Sequence, residues 1–140
     1  MYCGTRISEV RKRTAGDFDL EEGTLKITDA KNKSSERVVP LPPVVLNRLK
    51  SGFDFKWASY ATINKKLQTI NSKLSSHSFR HGLTALGRDL QANEFAVEAM
   101  LGHRLSVSEQ ANTYGGRYGH KAMRKAVAPI WEQLDEWLGY

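Results

Sequence analysis

The chain has 140 residues, a formal charge of +6 and a pI near 9.5. Its 40% hydrophobic and 26% charged residues fit one ordinary globular domain, excluding a disordered polyelectrolyte or a fibrous chain. One cysteine, Cys3, excludes an intramolecular disulfide. The start Met1-Tyr2-Cys3-Gly4 lacks the basic and apolar regions of a secretory signal, and no apolar stretch approaches a membrane span. A cytosolic location is therefore expected, with Cys3 as a buried thiol. The basic balance suits a polyanionic partner.

In chain order, Ser8 to Arg13 reads as a short helix ended near Gly16, followed by an extended run at Phe18-Asp19-Leu20 and a turn at Glu21-Glu22-Gly23. Thr24 to Thr28 alternates Leu25 and Ile27 with polar neighbours, which is a strand pattern. A polar turn over 29–35 leads to a second strand, Arg37 to Leu41, so a three-stranded antiparallel sheet is expected. The remainder is helical. Pro42-Pro43 opens a helix ending near Ser51-Gly52. Ser59 or Thr62 caps the next, whose Ile63, Leu67, Ile70 and Leu74 recur at the spacing of a core-facing stripe. Ser76 or Ser78 starts a helix to Asp89. Asn93 caps another carrying Phe95, Val97, Met100 and Leu101, and Gly102 ends it. Pro129 is expected to open the last helix, with Ile130, Trp131, Leu134, Trp137 and Leu138 on one face and Glu132, Asp135 and Glu136 on the other. That acidic face should point away from any nucleic acid. The apolar face either folds back on its own domain or docks on a second copy. The class is α+β, mostly helical, with a small sheet near the N-terminus.

The chemistry-bearing residues fall in order: Gly4-Thr5-Arg6-Ile7-Ser8-Glu9, then His77-Ser78-Phe79-Arg80-His81, then Leu101-Gly102-His103, then Tyr114-Gly115-Gly116. Two guanidiniums can hold the non-bridging oxygens of one phosphate by paired charge-assisted bonds. A phenol can attack phosphorus and a histidine can carry a proton, so the set suits phosphodiester cleavage without a metal. His77 and His81, four apart, also have metal-ligand spacing. They lack an intervening Glu and an obvious third ligand, and no carboxylate cluster suggests a metal-dependent nuclease. Glu9, three residues after Arg6, either orients that guanidinium or makes an ordinary helix pair. Arg11, Lys12, Arg13, Lys33, Lys65, Lys66, Lys73 and Arg88 read as solvated faces, able to set register on a phosphate backbone if they share a surface.

These boxes, with Asp17-Phe18-Asp19-Leu20 and Val38-Val39-Pro40-Leu41-Pro42 between them, resemble the tyrosine recombinases of the phage-integrase family over nearly the whole chain. The resemblance implies a single catalytic domain over residues 1–140. In the family, further helices and a DNA-gripping domain precede the first box, so a fragment is expected. It implies a site-specific DNA recombinase that needs no cofactor, metal or ATP. The partners implied are double-stranded DNA and further copies of the chain in a tetrameric synapse. Arg6 and Arg80 would bind the scissile phosphate, with His103 donating to it. His77 would act as acid–base, buttressed by His81. Lys31 in the strand-connecting turn would protonate the leaving 5′-oxygen, with Lys33 as the alternative. Tyr114 would be the nucleophile, with Tyr118 as the competitor. Tyr114 follows His103 by eleven residues; many relatives have nine, which here is Asn112. A relative that binds DNA without cutting it would lack one of these residues, and none is missing.

Overall fold

The computed structural model describes residues 2–28, 36–54, 56–103 and 119–140. Its elements are α1 (Ile7–Val10), a 3-10 turn (Ala15–Asp17), β1 (Phe18–Asp19), β2 (Thr24–Ile27), β3 (Arg37–Pro40), α2 (Pro43–Lys50), α3 (Tyr60–Ile70), α4 (Ser78–Asp89), α5 (Glu94–Leu101) and α6 (His120–Leu138). The strands form one antiparallel sheet in the order β1-β2-β3, with Phe18 opposite Leu25, Leu25 opposite Val39 and Ile27 opposite Arg37. The molecule is thus α+β and mostly helical, as the patterning implied.

Local chemistry explains most boundaries. Pro43 takes the first position of α2, where a missing N–H is harmless. Ser59 caps α3 by accepting the Thr62 amide at 3.0 Å, and Asn93 caps α5 by accepting the Ala96 amide at 3.0 Å. Gly102 ends α5 in the left-handed conformation, φ 71°, with the His103 amide closing on the Glu98 carbonyl at 3.0 Å. The first helix is shorter than its sequence suggested: α1 stops at Val10, and Gly16 belongs to the 3-10 turn.

The core lies between the inner face of the sheet and α4, α5 and α6. Leu25 and Val39 meet Leu83, Met100, Val127 and Ile130 there, all nearly or fully buried. Cys3 belongs to this cluster, and burial pushes its thiol up to about 11. Two expectations about stripes fail. No residue of α3 is buried, and Ile70 is 77% exposed. Phe95 of α5 is also exposed, while Val97, Met100 and Leu101 go inside.

The larger correction concerns α6. It begins at His120, so Pro129 lies inside the helix and does not open it. An interior proline costs about 3 kcal/mol. Met123 and Val127, both before Pro129, are 2% and 0% exposed, and burying two such side chains contributes about 3–6 kcal/mol. Arg124 adds hydrogen bonds from Nη2 to the Glu22 and Gly23 carbonyls at 2.6 and 2.7 Å, tying the start of α6 to the β1–β2 turn. Packing therefore outweighs the proline. The apolar stripe folds back on its own domain through Ile130 and Trp131, whose indole donates to the Tyr2 carbonyl at 3.1 Å. Trp137 remains 65% exposed.

Candidate active site

The first box is shaped by Gly4. Its φ is +57°, and a Cβ there would meet Leu101 Cδ2 at 2.3 Å, so only glycine lets the chain pass so near α5. The same residue's carbonyl accepts a hydrogen bond from Arg80 Nη1 at 2.8 Å. Two residues on, Arg6 caps α1. Glu9 reaches back, accepting the Arg6 amide at 2.8 Å and Arg6 Nη1 at 2.9 Å. Glu9 therefore orients Arg6. It is also more than a helix pair, since Arg37 on β3 donates to both of its oxygens at 3.2 and 3.0 Å. Burial pushes the Glu9 carboxyl upward, but the hydrogen bonds and charge of Arg37, together with the Arg6 bonds, outweigh it and hold it below its ordinary value.

Arg80 lies on α4 at 4% exposure. Burial and then the positive charge of Arg6 pull its guanidinium down to about 10. Its Nη2 is buried and has no hydrogen-bond partner among the described residues. An unpaired buried donor costs about 1–3 kcal/mol, and an anion in reach of it would remove that cost. His77 caps α4, so it precedes Arg80 by one turn as the spacing implied. Its approach is set by the Ser76 amide, which donates to Asn64 Oδ1 on α3 at 2.9 Å. Its imidazole is held below its ordinary value by partial burial and then by the charges of His81, Arg80, Arg6 and His103. The His81 ring stands edge-on to it at 4.6 Å.

Arg6, His77 and Arg80 line one cavity of about 300 Å³, with Thr5, Ser8 and Arg11 from the α1 side, Tyr60 from α3 and Ser76 before α4. His103 lies just beyond the Gly102 turn, and its Nδ1 is paired with Glu98 Oε2 at 2.5 Å. Three of the six expected site residues, Arg6, His77 and Arg80, thus line this cavity, while His103 follows Gly102 at the end of α5. The other two, Lys31 and Tyr114, lie outside the described residues, as do Lys33, Asn112 and Tyr118. Among the described residues, no three His, Cys, Asp or Glu side chains gather where they could hold a metal ion, and no helix is long and apolar enough to cross a membrane.

No family model and no curated protein matches this chain. Among solved structures, XerA recombinase is similar, with 19% sequence identity and a TM-score of 0.56 over 92% of this chain. The chain has the fold of XerA recombinase. It spans about half of that protein, 53% of its length. The fold shared with XerA recombinase agrees with the family that the sequence boxes resemble, and at this identity the likeness is one of fold.

Several residues at or beneath the cavity carried no readable signal. Arg11 and Arg13 read alike as solvated surface, and Arg11 is indeed exposed. Arg13 is instead 4% exposed, with Nη1 donating to Thr28 Oγ1 at 2.7 Å and Nε to the Glu9 carbonyl at 3.1 Å. Tyr60 and Arg37 were not distinguished at all. In the structure Arg37 pairs with Ile27, and that register turns the arginine toward the core.

Proposed function

We propose that the chain is the catalytic domain of a tyrosine-type site-specific DNA recombinase, acting on double-stranded DNA. The observation that carries this reading is the pair of guanidiniums on one cavity, one of them buried with an unpartnered Nη2. Two arginines that repel each other across a cavity are stabilised by a ligand of opposite charge, and the fork geometry of each matches two phosphate oxygens.

In this reading Arg6 and Arg80 hold the non-bridging oxygens of the scissile phosphate. His103, as the imidazolium, donates from Nδ1–H to Glu98 and from Nε2–H to the same group. Tyr114 Oη attacks phosphorus and its proton passes to His77, whose neutral form is favoured by desolvation and then by the surrounding cations. The P–O5′ bond breaks, Lys31 protonates the leaving oxygen, and a 3′-phosphotyrosyl link remains. A 5′-hydroxyl from a partner duplex reverses the step. The phosphodiester energy stays in the covalent link, so neither ATP nor metal is needed. Assembly of four copies on two duplexes and a further DNA-gripping domain belong to the same proposal.

A nicked suicide duplex, whose cleaved fragment diffuses away, should trap a covalent protein–DNA adduct at an unchanged rate in EDTA. A strict Mg²⁺ requirement would contradict the mechanism.

A further inference from the structure

The recombinase reading uses Arg6, His77, Arg80 and His103 and assigns nothing to Arg37. Yet Arg37 is a charged side chain on the inner face of a sheet, 8% exposed. Its Nη1 and Nη2 grip both oxygens of Glu9 at 3.2 and 3.0 Å, and its Nε donates to the Met100 carbonyl at 2.9 Å. Glu9 in turn holds the amide and guanidinium of Arg6. Met100 lies in the last turn of α5, just before Gly102. A Cβ on Gly102 would sit 2.4 Å from Arg37 Nη1, so the guanidinium packs directly under the turn that presents His103. One planar group therefore touches both the carboxylate that holds Arg6 and the turn that carries His103. Those two segments lie 28 and 63 residues away from Arg37 in the chain.

Stability explains this poorly. The desolvation of a buried ion pair cancels most of its attraction, and an apolar pair of the same volume often does as well. Alignment of two distant groups on one phosphate needs a rigid bidentate link, which an arginine supplies and a lysine does not.

We infer that Arg37 is a positioning residue of the site: it sets Arg6 through the Glu9 carboxylate, and the Gly102–His103 turn through the Met100 carbonyl, in one frame. This rests on the recombinase reading of the cavity.

The test compares the whole chain with Arg37→Lys, Arg37→Met, Glu9→Gln and the double variant Arg37→Met/Glu9→Gln. Thermal melting and the methyl NMR signals of Val127 and Ile130 report the core. The Nε–Hε signal of Arg6 and the ring signals of His103 report the site, before and during titration with inorganic phosphate. Arg37→Lys should keep the core signals while moving both Arg6 and His103, and should weaken phosphate by about 10- to 100-fold, as loss of a charge-assisted hydrogen bond does. The double variant should lose no more affinity than the worse single one, because both break the same link. Should Arg37→Met fail to fold, Arg37→Lys and the double variant, which removes both charges, still carry the comparison. Unmoved Arg6 and His103 signals in Arg37→Lys, or additive losses in the double variant, would overturn the inference. A wild-type chain that binds no phosphate would overturn the recombinase reading of the cavity instead, and the anion-free signals would still decide the role of Arg37.

Discussion

The apolar seat of α6 and the charged junction beneath the cavity are both buried, yet different physics holds them. In the seat, Val127 and Ile130 are fully buried against the sheet and α5, and each gains from leaving water whatever its precise neighbours. In the junction, Glu9, Arg37 and Arg80 are 8%, 8% and 4% exposed, and each costs free energy to bury unless its partner stands at the right angle and distance. The seat makes the domain fold. The junction fixes where two guanidiniums point. A buried charge network with one donor left unpaired is a weak stabiliser and a good receptor for an anion.

The sharpest way to break that contrast is Arg80→Met. It removes the buried donors and replaces them with a shorter, unbranched apolar chain. Adduct formation on the suicide duplex should fall about 100- to 1,000-fold, as when one preorganised donor to a transition-state oxyanion is lost. The melting temperature should fall only modestly, because loss of the Nη1 bond to the Gly4 carbonyl is partly offset by removal of the unpaired buried Nη2 and its charge. A variant that melts far lower yet still forms adduct would mean that Arg80 is structural.

The seat should respond in the opposite way. Ile130→Ala leaves a cavity at a fully buried position and should cost about 2–5 kcal/mol in chemical denaturation. Phosphate affinity of the fraction that remains folded should be unchanged. If affinity falls with stability, the two regions are not separable.

A smaller effect separates them by pH. The folded-state carboxyl of Glu9 is held below its ordinary value of 4.5, so its stabilising contribution is complete above that value and is lost as pH falls through the lowered one. Wild-type melting temperature should therefore decline below about pH 4.5, and Glu9→Gln should remove that part of the slope. Ile130→Ala should lower the whole curve without altering its shape.

The same contrast decides what the sequence made legible. Apolar alternation announced β2 through Leu25 and Ile27, while cap and turn residues announced the helices: Pro43 opened α2, Ser78 α4, and Asn93 and Gly102 bounded α5. The pattern misled at α3, where Ile63 and Leu67 recur at helical spacing yet only half-bury, because spacing reports a face and says nothing of what lies against it. It also misled at Pro129, where a local rule lost to the packing of Met123 and Val127. The boxes around Arg6, Arg80 and His103 were legible as motifs, since glycines and histidines at fixed intervals are rare by chance. Arg13 and Arg37 were not. An arginine turned inward by strand register or by a helix end looks like any surface arginine until the carboxylate and carbonyls that receive it are located in space.

The central claim is that this cavity presents a phosphate to a phenol, and covalent trapping tests it most directly. With a nicked suicide duplex and a chain extended to include any flanking DNA-binding segment, Tyr114→Phe should abolish the adduct while Tyr118→Phe leaves it intact. Peptide mapping should find the nucleotide on Tyr114. An adduct that survives Tyr114→Phe, or one that disappears only with Tyr118→Phe, would contradict the account.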